Sequence, residues 1–240
     1  FLVEEKQSTQ RINANLGFTG EYGMTGGAGV EFDNFRGRGQ KLNVGISTGT
    51  NFSLYSGQEP SKYKSLNISF QDPMINDSPF LVGASVFYSY RGSSTNYYFP
   101  LDFTVGGAVA SFGRRLEWPD DFFRVMWSVK FMQKEYEGTQ ADIDQYIGGL
   151  QKTRGISISQ TFSRDSRNRA EFPTKGSTFM INSTYSGGIL GGNENFQKHM
   201  MNLEWFTPTF SKFILYSSAK VGVIKNISVD DDTPSFIPFD

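Results

Sequence analysis

The sequence predicts an all-β chain of about eleven antiparallel strands. Its alternation would suit a soluble barrel or sandwich equally, whereas strand length and the pattern of connections favour a transmembrane β-barrel. Apolar and polar residues alternate with period two in segment after segment. The segments run to about nine to eleven residues, longer than the five or six usual in soluble sheets. Compact turns alternate with longer, more variable connections, as they do in membrane barrels.

The first strand, Arg11 to Thr19, shows the pattern most plainly. Ile12, Ala14, Leu16 and Phe18 are apolar, whereas Arg11, Asn13, Asn15, Gly17 and Thr19 are polar or glycine. At about 3.3 Å per residue it spans roughly 30 Å, about the thickness of a bilayer's hydrocarbon core. A tight turn at residues 20–23 leads to a second strand with Met24, Gly26, Ala28, Val30 and Phe32 on one face. Leu42, Val44 and Ile46 mark the third strand, and a polar loop follows at residues 51–62. Leu66, Ile68 and Phe70 mark the fourth, which closes at the prolines Pro73 and Pro79, residues that lack a ladder donor.

Val82, Ala84, Val86, Tyr88 and Tyr90 share a face of the fifth strand. The sixth, residues 103–113, is too rich in glycine for its faces to be assigned. Phe123, Val125, Trp127, Val129 and Phe131 mark the seventh, opposite Arg124, Met126, Ser128 and Lys130. The remaining four carry Ile156, Ile158 and Phe162; Phe179, Ile181 and Tyr185; Met201, Leu203 and Trp205; and Leu215, Ala219, Val221 and Val223. Aromatics at strand ends (Tyr88, Tyr90, Tyr136, Trp205, Phe206, Phe213) suit interfacial girdles. The polar face carries Arg11, Glu31, Arg124, Lys130, Glu204 and Lys220, which suits a wet lumen.

Composition narrows the functional classes. Apolar residues make up 38% of the chain, and no run approaches the length of a transmembrane helix. The net charge of -1, without a basic block, argues against nucleic acid as a partner. The lack of cysteine permits an envelope location. The chain starts at Phe1 without a Met and stops at Asp240 in mid-pattern, so it is read as a piece of a longer protein.

The segment Arg164-Asp165-Ser166-Arg167-Asn168-Arg169-Ala170-Glu171-Phe172-Pro173-Thr174-Lys175-Gly176-Ser177 resembles a turn of the BamA family of outer-membrane protein insertases. In that family an R-D-T/S-R-D/N segment leads into F-P-T-x-G-S between two mid-barrel strands. Residues 32–39 are similar to the family's D-N-hydrophobic-x-G-x-G turn. Ser69-Phe70-Gln71-Asp72-Pro73 is similar to its next strand end, with Met74 where an aromatic is usual. The resemblance runs in order along nearly the whole chain.

It implies that residues 1–9 are the end of a preceding periplasmic POTRA-like domain. Residues 10–240 would then be the first eleven of sixteen strands of a barrel in the outer membrane of a Gram-negative-type cell. Residues 235–240 look like the approach to the family's inward loop. TamA-type and two-partner-secretion transporters share the plan, and a passive pore is a further alternative. The implied partners are nascent outer-membrane β-barrel proteins, accessory lipoproteins and membrane lipid. No cofactor, metal or enzymatic bond chemistry is implied.

Two groups of residues carry the functional expectation. By the resemblance, Arg11, Ile12, Asn13, Ala14, Asn15, Leu16, Gly17, Phe18 and Thr19 form a lateral-gate strand whose free edge templates an incoming strand. The family-like turn is Arg164, Asp165, Arg167, Phe172, Pro173, Thr174, Gly176 and Ser177. Pro173 and Gly176 make the reversal, and Asp165 among Arg164, Arg167 and Arg169 ties it electrostatically. Other candidates read as structural. Arg36-Gly37-Arg38-Gly39 lacks the strand–loop–helix context of a phosphate loop. His199, the only histidine, lacks an evident serine–acid pairing. Residues 135–154, with Asp142, Asp144 and Tyr146, read as a solvated loop.

Overall fold

A computed structural model describes residues 10–19, 23–50, 62–93 and 100–227. Eleven strands among them follow one another in sequence order in a single sheet. They are β1 (Gln10–Thr19), β2 (Gly23–Phe35), β3 (Gln40–Thr50), β4 (Lys62–Asp72), β5 (Phe80–Arg91) and β6 (Asp102–Arg115), then β7 (Phe123–Glu137), β8 (Lys152–Asp165), β9 (Gly176–Ser186), β10 (Phe196–Pro208) and β11 (Ile214–Asn226). One α-helix, α1 (Gln140–Ile147), interrupts the series. The expected domain exit at residues 1–9, most of the turn at 20–23, nearly all of the loop at 51–62 and the segment 235–240 lie outside the described residues.

Two compact units divide the chain. The first takes its described residues from Phe1–Pro73, Gly83–Ala110 and Phe131–Arg154. Here β1 to β4 pair antiparallel in a register that keeps each face uniform. Ile12 lies opposite Val30, Val30 opposite Val44, and Val44 opposite Ile68. Arg11, Glu31, Asn43 and Ser69 form the matching polar row. A one-residue slip would exchange the two faces, so the apolar pattern sets the register.

The β2–β3 turn supports the structural reading of its arginines and glycines. Arg36, Gly37 and Gly39 have φ of 58°, 71° and 67°. Asn34 Oδ1 accepts from the Gly39 amide at 2.6 Å, which closes the turn.

Residues 135–154 are not the solvated loop that the sequence suggested. Glu135 belongs to β7, and α1 follows, with the Thr139 hydroxyl accepting from the Asp142 amide and Gly148 ending the helix at φ 62°. Ile143 and Ile147, four residues apart on one helix face, are buried with Leu101 and Tyr136, and Phe103 packs on the cluster. Tyr136 is therefore a core residue, not part of an interfacial girdle.

The second unit takes its residues from Met74–Val82, Ser111–Lys130 and Gly155–Asp240. It assigns the faces of β6 that alternation left open. Phe112 stacks on Phe80 at 5.2 Å and on Trp127 at 6.3 Å, so the even positions at that end of β6 belong to the apolar face. Along β8 to β11, Phe162, Ile181, Met201 and Val221 share one row, and Ser163, Met180, Asn202 and Lys220 share a row on the other face. Phe206 lies on that second face, where its ring meets Tyr216 at 5.0 Å, whereas Trp205 keeps the apolar face. Phe206 thus also leaves the girdle set, because neighbours along a strand point to opposite faces.

Candidate functional site

The residues expected to form a gate strand lie on β1, the first strand in the sheet order, with β2 as its one neighbour among the described residues. Ile12, Leu16 and Phe18 are more than four-fifths exposed. Ala14 completes that apolar face opposite Ala28. On the polar face, Arg11 bridges Asp33 at 2.7 Å and Glu31 at 3.3 Å, an ionic tie from β1 to β2.

Beyond Arg11 the polar face is held differently. Asn13 and Asn15 lie opposite Gly29 and Gly27, and Gly17 opposite Thr25. A Cβ at Gly29 would stand 2.6 Å from Asn13 Oδ1, and one at Gly27 would stand 2.7 Å from Asn15 Oδ1. The two asparagine side chains thus lean into space that only glycine leaves. On the apolar face, Leu16 leans toward Gly26, whose Cβ would stand 3.2 Å from Leu16 Cδ2. Cross-strand side-chain pairs normally add to sheet stability, and glycine supplies none. Past Arg11, five of the eight β1–β2 pairs include a glycine, and side chains face each other only at Ile12–Val30, Ala14–Ala28 and Phe18–Met24. Thr19 ends the strand opposite Gly23.

The family-like turn joins β8 to β9. Its reversal is closed by local hydrogen bonds. Ser166 exchanges backbone and hydroxyl bonds with Ser177. Asn168 Oδ1 accepts from the amides of Thr174 and Lys175 at 3.0 and 3.2 Å, and its Nδ2 donates to the Thr174 hydroxyl at 2.8 Å. Gly176 has φ 109°. Phe172, ahead of Pro173, is about three-quarters exposed.

The electrostatics differ from the expectation of one cluster around Asp165. Asp165 is held by Arg167, through the Arg167 amide, Nε at 2.9 Å and Nη2 at 2.7 Å. Arg164 turns instead to Asp120 in the β6–β7 turn, with Nε at 2.9 Å and Nη2 at 2.8 Å from Oδ2. Its guanidinium also stands 5.5 and 5.6 Å from the ring centres of Phe122 and Phe123. The Asp165 amide reaches the Phe122 carbonyl at 3.4 Å. Desolvation pushes the Asp120 carboxyl up. The Arg164 hydrogen bonds, the Phe122 amide and the Arg164 charge outweigh it and hold the group below the usual carboxylate range.

Arg164 is thus a clamp between two neighbouring turns, since its Nη1 also donates to Ser166 Oγ at 3.0 Å within the reversal. Asp120, Phe122, Ser166 and Asn168 were not among the expected residues. The meander brings the β6–β7 and β8–β9 turns to the same end, but the sequence does not choose among Glu117, Asp120 and Asp121 of the adjoining turn. Replacing Arg164 by alanine is expected to speed hydrogen exchange of the Asp165 amide roughly 5- to 30-fold. The Asn168 and Thr174 bonds should keep exchange of the Lys175 amide unchanged. Because the Asp120 carboxyl is depressed, the clamp is intact above the ordinary Asp range and is lost as pH falls through its lowered native value.

The remaining candidates gain no chemistry. His199 contacts Ser183 and Gln197. Among the described residues, no group of His, Asp and Glu has a metal-binding arrangement. On the polar face, Arg124, Arg167, Asn202 and Lys220 line a cavity of about 500 Å³, the wet side expected of a lumen.

A model of the Omp85 superfamily domain matches residues 34–239. The outer membrane protein assembly factor BamA of Nitratidesulfovibrio vulgaris (strain Hildenborough) is 26% identical over 187 residues, covering 74% of this chain and 22% of that protein. The crystal structure of BamA from Haemophilus ducreyi lacking POTRA domains 1–3 superposes with a TM-score of 0.69 at 16% identity, over 93% of this chain and 42% of that one. The chain therefore spans about a fifth of the curated relative and less than half of the solved one, whose barrel fold it shares.

Proposed function

The chain belongs to the Omp85 superfamily, and from that premise we propose that it is part of the barrel of an outer-membrane protein insertase, with β1 as its gate strand. It is a BamA-like, integral β-barrel chain of the Gram-negative outer membrane. The observation that carries the proposal is the state of β1, the first strand in the sheet order, which faces glycine of β2 at four of its ten paired positions.

Such a strand offers a row of backbone donors and acceptors to an incoming strand, which is β-augmentation. A nascent outer-membrane barrel strand adds to the edge of Arg11 to Thr19, and the product leaves sideways into lipid. The substrate satisfies its backbone groups against β1, which lowers the cost of entering a medium without water. The work is strand exchange, with no bond chemistry and no cofactor. Accessory lipoproteins are the further partners in this reading.

A disulfide lock tests it in the full-length protein. Cysteine at Asn13 or Asn15, oxidised to a cysteine on the protein's last strand, is expected to stop insertion of a reporter barrel into vesicles. Reduction should restore it. Undiminished insertion with the seam fully oxidised would remove the gate assignment.

A further inference from the structure

Two arginines stand at the turn end of the apolar face in the second unit, and each lies over aromatic rings. Arg114 shares that face with Phe112 on β6, and Arg164 shares it with Phe162 on β8, because alternate residues of a strand point the same way. The Arg164 guanidinium stands over Phe122 and Phe123 and is neutralised by Asp120. The Arg114 guanidinium stands 5.1 Å from the ring centre of Phe80. Phe80 stacks in turn on Phe112, and Phe112 on Trp127. Arg114 is exposed, and among the described residues no carboxylate pairs with it. The strands on either side of it, β5 and β7, and the turns at residues 73–79 and 116–122 are all described.

Its place in the sheet fixes what lies outside it. The Leu116 amide donates to the Phe123 carbonyl at 2.9 Å, so in the antiparallel ladder Arg114 stands beside Val125, one row inside the strand end. Trp118, in the turn just beyond, is more than four-fifths exposed, an indole of the kind that sits at a bilayer's interface. Arg114 is therefore at the border between hydrocarbon and headgroups. There its apolar stem lies along the rings and its charge reaches outward. A cation at that border is costly without an anion, and the bilayer supplies phosphate, whose oxygens match the guanidinium fork.

We propose that Arg114 binds the phosphate of an anionic phospholipid in the leaflet on the turn side, with the lipid's chains along Phe112 and Trp127. The Phe80 ring supports the guanidinium, and the lipid phosphate does for Arg114 what Asp120 does for Arg164. The phosphate of phosphatidylcholine or phosphatidylethanolamine is paired with its own ammonium, so a lipid of net negative charge, such as phosphatidylglycerol, is the better ligand. This goes beyond the insertase reading. It needs the barrel in its bilayer, and its outcome does not depend on whether β1 is a gate.

The test uses the full-length protein with Trp127 kept and its other tryptophans replaced by phenylalanine, in mixed vesicles of phosphatidylglycerol and phosphatidylcholine. One of the two lipids carries brominated chains in each series. Bromine quenches a tryptophan that its lipid touches, so the two series report which lipid sits beside Trp127. Phosphatidylglycerol is expected to be favoured there about fivefold. The preference should vanish in Arg114→Gln and survive in Lys130→Gln, which removes a cation from the other face of β7. Heat-modifiable migration on a gel checks that both variants fold. Added inorganic phosphate should leave the preference intact, since the chains hold the lipid at the surface. No preference with Arg114 present overturns the site with no variant needed. A preference kept in folded Arg114→Gln, lost equally in Lys130→Gln, or abolished by inorganic phosphate overturns it as well.

Discussion

Arginine in place of Val129 is expected to destabilise the barrel by about 2–4 kcal/mol in a bilayer, the cost of a cation at the lipid midplane. Val129 lies in the interior of β7, flanked on its face by Trp127 and Phe131, all three partly exposed. Exposure of such a run in a soluble sheet would be a liability, and in lipid it is the surface that the solvent requires. The neighbouring Ser128 points to the other face, so Ser128→Arg is the matched control and should lose little. Urea unfolding of the full-length protein in vesicles, read by tryptophan fluorescence, measures both. Equal costs for the two variants would mean that the faces are not lipid and water.

Alanine at Gly176 is expected to cost about 2–5 kcal/mol, through a strained backbone and a steric clash together. Gly176 has φ 109°, which a side chain rarely adopts. A Cβ there would also strike the Ser166 carbonyl oxygen and stand 2.8 Å from Arg167 Cα. Neither neighbour yields easily, because Ser166 is tied to Ser177 and Arg167 to Asp165. Lys175→Ala, one residue away and exposed, is the control. A folding yield and urea midpoint unchanged in Gly176→Ala would show that the turn tolerates another path.

The two residue groups were legible to different degrees. For β1, alternation assigned both faces before any coordinates, since period two is a local property of the chain. The turn's reversal was legible too, through Pro173 and Gly176. The partner of Arg164 was not, because it lies in another turn, 44 positions earlier in the chain.

The sequence by itself determined the class of fold, the strand order's local signals, the face of most strands and the family. All of these rest on neighbours along the chain: side-chain alternation, proline and glycine at reversals, and motifs read in order. The tertiary structure alone decided the faces of β6, where glycine and alanine occupy both parities and erase the period. It also decided that residues 140–147 are helical, with Ile143 and Ile147 buried against Leu101 and Tyr136. So too with Arg164, which chose Asp120 over the adjacent Asp165 because the neighbouring turn offers a carboxylate and two aromatic rings together. Contacts between segments far apart in sequence depend on which elements pack side by side, and no local pattern encodes that.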